Sequence, residues 1–416
     1  MDRRRFLGCA ATVPLAVVGP LRTKGDPAAR GYPPPSRART PPEARADPDA
    51  VTLFLGGDVM TGRGLDQVLP HPGDPRLHER YVRSATRYVE LAETKNGSIP
   101  APVDYSYVWG DALAELDRVA PDARIINLET NVTTSDQHWR GKGIHYRMHP
   151  ANVPCIAAAG IDCCVLANNH VIDWGFTGLR ETLDTLEAAG VQTAGAGLDA
   201  EEAAAPAILE VGRDRRVLVF GFGTKTSGIP GEWAARVDRP GVNLLDDLSP
   251  KTVRRIAERT GRAKSEGSVV VASIHWGSNW GYPVPATQRE FAHRLIDEAG
   301  VDVVHGHSSH HFKGIEVYCG RPILYGCGDF LNDYEGISGR EAYRADLVLL
   351  YFPVIVPSTG RLVRFHLSPM RIRRFRLNLP SRDDVEWIRE TLNREGERFG
   401  TWVEAGPAGD LALRWT

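Results

Sequence analysis

The chain has 416 residues, 42% hydrophobic and 25% charged, an ordinary globular composition with ample material for a large core. A formal net charge of −2 with no basic stripe excludes a nucleic-acid partner, and the run from Arg371 to Arg376 reads as the solvated face of a strand. Apart from Cys9 near the start, five cysteines remain, and their odd number and lack of a CxxC repeat argue against both a zinc ribbon and a disulfide framework.

The chain opens differently from the rest. Arg3, Arg4 and Arg5 precede an apolar stretch to Gly19 that is too short for a stable membrane anchor, and Arg4 to Leu7 resembles a twin-arginine export signal. Residues 1–20 are therefore expected to be an export signal that sends the protein out of the cytoplasm, to the cell envelope or beyond. Residues 21–50, with Pro33 to Pro35 and Pro41 and Pro42, read as a disordered linker. A main domain is expected over 51–380, with a C-terminal helix and tail over 381–416 packed on it.

From residue 51 the pattern alternates between strands and helices. Strands are expected at Thr52 to Asp58, Arg124 to Glu129, Cys163 to His170, Ser268 to His275 and Val301 to His305. Helical spacing occurs over Val108 to Val119, Gly178 to Ala189, Pro250 to Ser265 and Arg289 to Ala299. Residues 68–102 read as an inserted excursion of the kind that often borders a site. Further strands are expected at Ala207 to Val211, Val217 to Phe222, Gly314 to Tyr318, Pro322 to Tyr325, Ala345 to Val356 and Leu362 to Leu377, with a last helix at Arg382 to Glu395. The fold class is α/β, and the β-rich second half suggests a second sheet packed on the first in a four-layer α/β/β/α sandwich.

Five of these strands stop at residues that hold metals or move protons, and in α/β folds such ends converge on one side. Asp58 and Glu129 are carboxylates placed just after apolar strands, where they are costly unless paired or metal-bound. Asn168 and Asn169 offer hard amide oxygens; His170 beside them is suited to proton transfer, and Asp173 is placed to fix its tautomer. His275 ends another strand, and His305, His307, His310 and His311 crowd a loop after the next. Arg63, five residues after Asp58, is suited to clamp a phosphate or carboxylate. Oxygen and nitrogen donors without a thiolate favour Mn, Fe, Zn or Mg, and their number suits two divalent ions, with Glu129 as the bridge.

The segments Gly57 to Arg63, Asn127 to Glu129, Asn168 to His170 with Asp173 and Gly175, His275 to Gly277, Gly306 to His310 and Gly328 to Phe330 together resemble the CapA capsule-synthesis proteins. These belong to the poly-γ-glutamate synthesis machinery and share the calcineurin-like metallophosphatase fold. The resemblance spans about residues 51–335. It implies that Asp58, Glu129, Asn169, His275, His307 and His310 ligate metal, that His170 assists protonation and that Arg63 contacts substrate. The chain departs from metallophosphatases in having Met60 two residues after the first aspartate. The last histidines also stand as His307-x-x-His310, which makes His305 and His311 rival ligands. Asp329 stands where many CapA proteins have asparagine, and is expected to be an extra acid behind the ligands.

The leading expectation is an exported, metal-dependent hydrolase of the metallophosphatase type serving capsule or envelope polymer synthesis. Its partners would be an anionic polymer or a phosphate or carboxylate substrate, and a membrane-embedded capsule synthesis complex. The alternative is a non-catalytic metal-binding subunit of a poly-γ-glutamate synthesis and export complex. A third option is an enzyme acting on the amide bonds of the polymer itself.

Overall fold

The computed structural model describes residues 49–212, 214–406 and 409–416. The expected export signal, and all but the end of the expected linker, lie outside them.

Two sheets organise the described residues. The ten-stranded sheet runs Thr401–Ala405, Leu411–Trp415, Arg361–Ile372, Leu347–Val356, Val51–Val59, Ala123–Leu128, Cys163–Val165, Gln192–Ala194. Its last four strands in that order are mutually parallel, and Asp329–Leu331 adds in parallel beside the end of Val51–Val59. The seven-stranded sheet runs Leu244–Leu245, Arg216–Thr224, Ser268–His275, Val303–His307, Arg321–Leu324, Ile315–Tyr318, with Ala207–Glu210 paired antiparallel to Arg216–Thr224. Arg216–Thr224, Ser268–His275 and Val303–His307 are parallel neighbours. The α/β expectation holds.

Two-residue alternation along each strand decides what its faces bury. Val51, Leu53 and Leu55 of one sheet join Val217, Val219, Val269, Val271 and Val303 of the other in one apolar cluster. The opposite face of the first sheet, with Phe54, Ile126 and Cys164, meets Leu116 of the helix Ala112–Val119 and Leu179, Leu183 and Leu186 of the helix Gly175–Ala188. The opposite face of the second, with Leu218, Phe220 and Val270, meets Val253 and Ile256 of Pro250–Ala263 and Phe291 and Leu295 of Ala286–Ala299. Cys163 and Cys164 are fully buried on opposite faces of their strand, in the core role expected of them.

Four elements differ from expectation. The strand expected from Cys163 to His170 ends at Val165. The helix expected over Val108 to Val119 splits into a 3-10 turn, Tyr107–Trp109, and Ala112–Val119. Gly110 between them has φ +47°, and a Cβ there would lie 2.1 Å from the Leu377 carbonyl oxygen. The strand expected to run to Leu377 stops at Ile372 because Arg374 and Phe375 turn at φ +57° and +53°; Leu377–Asn378 then folds back on it. The C-terminal tail is a hairpin, Thr401–Ala405 with Leu411–Trp415, that extends the large sheet through Leu411 opposite Leu367.

Candidate metal centre

The carboxyl ends of the parallel strands in both sheets meet at one place. Asp58 comes from the first strand and is fully buried. Gly57 before it allows the close approach of Gly328, whose carbonyl oxygen would lie 1.8 Å from a Cβ at that position. The Asp58 amide donates to that carbonyl at 3.0 Å, and the register sets Asp58 opposite Asp329. His275 and His307 end neighbouring strands of the second sheet and stand opposite each other.

Asp58, His275 and His307 each bring a donor atom, all within 4.8 Å of one another, and Asp58, His310 and Asp329 do the same. His307 Nδ1 and His275 Nδ1 lie 3.7 and 3.9 Å from Asp58 Oδ1 and 2.7 Å from each other. Asp58 is thus common to both groups, and Asp329, expected behind the ligands, is a member of the second. Asn127 Nδ2 donates to Asp58 Oδ1 at 2.7 Å and the Ser308 amide to Oδ2 at 3.1 Å. Ser308 holds φ +96°, a conformation a non-glycine residue keeps only under local constraint.

Glu129 is buried beside these groups. Its Oε1 lies 3.9 Å from His275 Nε2 and 3.7 Å from His170 Nε2, and its Oε2 has no hydrogen-bond partner among the described residues. Glu129 thus buries one carboxylate oxygen without a partner while its other oxygen faces two imidazoles, an arrangement that a cation would complete. Asn169 Oδ1 lies 2.9 Å from His275 Nε2, so the expected amide donor also reaches the centre. Asn168 is structural: its amide nitrogen bonds Asn127 Oδ1 and the Leu128 carbonyl, while its oxygen accepts the amides of His170 and Val171.

The titration of these groups follows from burial and crowding of like charge. Burial, then the neighbouring Asp329 carboxylate, raises the Asp58 carboxyl to about 7. Burial followed by Asp58 and Asp329 pushes Glu129 well above the carboxylate range. Burial holds His275 and His307 well below the usual imidazole value. Burial would lower His310 too, but the Asp329 carboxylate 2.8 Å from its Nδ1 outweighs it and the shift is upward.

His170 Nδ1 lies 2.6 Å from Asp173 Oδ2, the orienting contact expected, and burial lowers the imidazole to about 4. Asp173 also accepts from the Tyr146 amide at 2.7 Å and from Lys142 Nζ at 2.5 Å. Lys142 donates to the Asn169 carbonyl as well. Sequence reasoning missed Lys142, which lies in a polar stretch without a periodic pattern. It also missed Asn279, whose side-chain amide meets His310 Nε2 at 2.8 Å. Asn127, inside a motif already singled out, was the one missed residue with a signal.

The rival histidines are engaged elsewhere. His305 spans the two sheets, with Nε2 at 3.0 Å from the Gly56 carbonyl and Nδ1 at 3.0 Å from Ser273 Oγ. His311 bonds the Phe312 carbonyl through Nδ1 and accepts the Gly281 amide through Nε2. Arg63, expected to face substrate, is instead buried and spent internally. Its Nε and Nη2 donate to Asp333 and its Nη1 to Glu79 at 3.0 Å and to the Tyr88 hydroxyl at 3.1 Å. These partners lie 270, 16 and 25 residues away along the chain, which is why local spacing could not reveal them.

Residues 52–334 match the family described as bacterial capsule synthesis protein PGA_cap. A probable polyglutamine synthesis accessory protein of Mycobacterium tuberculosis is 50% identical over 362 residues, covering 87% of this chain and 95% of the relative. The PGA biosynthesis protein CapA of Bacillus subtilis is 26% identical over 337 residues, covering 81% and 75%. The capsule biosynthesis protein CapA of Bacillus anthracis is 23% identical over 286 residues, covering 68% and 60%. With two thirds of its length matched by that family and 50% identity over 362 residues to a relative covered to 95%, the chain belongs to the bacterial capsule synthesis family PGA_cap.

Proposed function

We propose that this protein is an exported, metal-dependent hydrolase of the metallophosphatase type that assists synthesis of a glutamate-based capsule or envelope polymer. The observation that carries the reading is the pair of donor groups sharing buried Asp58, next to the orphan oxygen of Glu129. Asp58, His275 and His307, with Asn169 and Glu129 adjoining, would hold one divalent ion, and Asp58, His310 and Asp329 a second. Donors of oxygen and nitrogen alone suit Mn, Fe, Zn or Mg. Such ions supply Lewis-acid polarisation and water activation. His170 serves proton transfer: Asp173 accepts its Nδ1–H, which leaves Nε2 free on the side of Glu129. The four-layer α/β/β/α sandwich of metallophosphatases belongs to the same proposal, supported by an apolar cluster shared between the sheets and helices against each outer face.

Purified full-length chain supplied with Mn or Zn is expected to hydrolyse a chromogenic phosphate ester, and Asp58→Asn to abolish turnover. Absence of turnover by the metal-loaded wild type would contradict catalysis. That outcome would favour the second reading, a metal-binding subunit of a synthesis and export complex. The saturation of Arg63 by Asp333 and Glu79, which removes the expected substrate clamp, is the observation on its side.

A further inference from the structure

Beyond His310 the site wall changes character. Trp280, Tyr282 and Tyr343, all partly exposed, pack around the His311 ring with centroids 6.1, 4.6 and 4.6 Å from it. Trp280 and Tyr343 are 5.2 Å apart. Trp280 also lies 5.4 Å from the His310 ring, so this aromatic face begins at the second donor group and leads away from it. Both ring nitrogens of His311 are hydrogen-bonded, which fixes the platform.

Cations line the same face. The exposed Arg340 guanidinium stands 5.3 Å over Trp280, and that of Arg394 5.1 Å over Tyr282. Arg398 donates to the Tyr282 carbonyl at 3.0 Å. Lys313 is only 5% exposed, and the charges that act on it are Arg398 and Glu395. Glu395 is already taken by Arg394 at 3.0 Å and Arg398 at 3.1 Å. Lys313, Arg394 and Arg398 therefore share one carboxylate, and Lys313 makes no ion pair among the described residues. Three cations that share one carboxylate leave positive charge uncompensated, and an anion arriving from solution at the exposed guanidinium groups offsets it.

Flat rings flanked by guanidinium groups match a chain that alternates methylene carbons with carboxylates. The rings cover the apolar carbons and the cations meet the carboxylates. We infer that this rim is a docking subsite for a polycarboxylate of the polyglutamate type, lined by Trp280, Tyr282, Tyr343, Arg340 and Arg394. The inference rests on the capsule-polymer reading above and adds the surface by which the polymer is held. A neutral glycan would use the rings and leave the cations unsatisfied.

The test is a calorimetric titration of the metal-loaded full chain with poly-γ-glutamate and, separately, with dextran. Poly-γ-glutamate is expected to bind, more weakly as salt screens the exposed arginines. The double variant Arg340→Glu, Arg394→Glu should bind it about tenfold more weakly, with wild-type metal content and melting temperature. Equal affinity of the variant, or binding of dextran in preference, would overturn the inference. Metal content of the same samples separates the two claims. A chain that binds polymer without metal sinks the hydrolase reading alone, and a metal-loaded chain that ignores the polymer sinks the subsite alone.

Discussion

Asp58 gathers, at one residue, the contradictions that define the site. It is fully buried, near a second carboxylate, and met by an amide, a backbone N–H and two imidazoles. Apolar strands ending in Asp, Glu or His are legible in a sequence because nothing local explains such an ending. Arg63 shows the opposite case, since its role is decided by Asp333 and Glu79 from remote segments. Lys142 and Asn279 arrive on loops without periodicity, and no pattern marks them. At this scale the account makes a claim about His170. Replacement by Ala is expected to lower kcat on a phosphate ester by about 10²- to 10⁴-fold, the usual worth of a positioned acid or base. Asp173→Asn should lower kcat and alter the pH profile with little change in KM. Unchanged kcat in both variants would remove His170 from the chemistry.

Elements were read well where alternation governs them and poorly where the backbone turns. Val217 to Phe222 is an unbroken apolar run, as a strand buried on both faces requires, and Val217 and Leu218 fall in different clusters. The break at Gly110 and the turn at Arg374 and Phe375 depend on contacts with distant chain, such as the Leu377 carbonyl. One junction between elements carries a pH dependence. Glu115 of the helix Ala112–Val119 bonds Arg118 and, across to the strand Arg361–Ile372, Ser368. Burial alone would raise its carboxyl, but Arg118, His366 and Ser368 outweigh burial and hold it well below its ordinary value of 4.5. A depressed carboxylate stabilises the fold above that value, and the contribution is lost as pH falls below it. Glu115→Gln should therefore cost about 1–3 kcal/mol at pH 7 and flatten the acid limb of denaturant-unfolding curves below pH 4.5. A variant as stable as wild type at pH 7, with the same acid limb, would contradict this junction.

For the whole molecule, the two-sheet core brings donors from Asp58 to Asp329 into one place, although 270 residues separate them. The order of apolar segments made an α/β fold readable, whereas the pairing of the C-terminal hairpin onto the large sheet was not, because its short strands lack a long alternating run. Export, proposed from the basic start of the chain, is tested by replacing Arg3, Arg4 and Arg5 with Lys. The variant should remain in the cytoplasm, and continued export would refute the twin-arginine reading. The central claim is that one buried carboxylate organises a divalent-metal centre. Elemental analysis of the purified full chain after supply of Mn or Zn, beside Asp58→Asn, tests it most directly. The account predicts about two ions per chain in the wild type and loss of both in a variant that still folds. A folded wild type that retains no metal would contradict it.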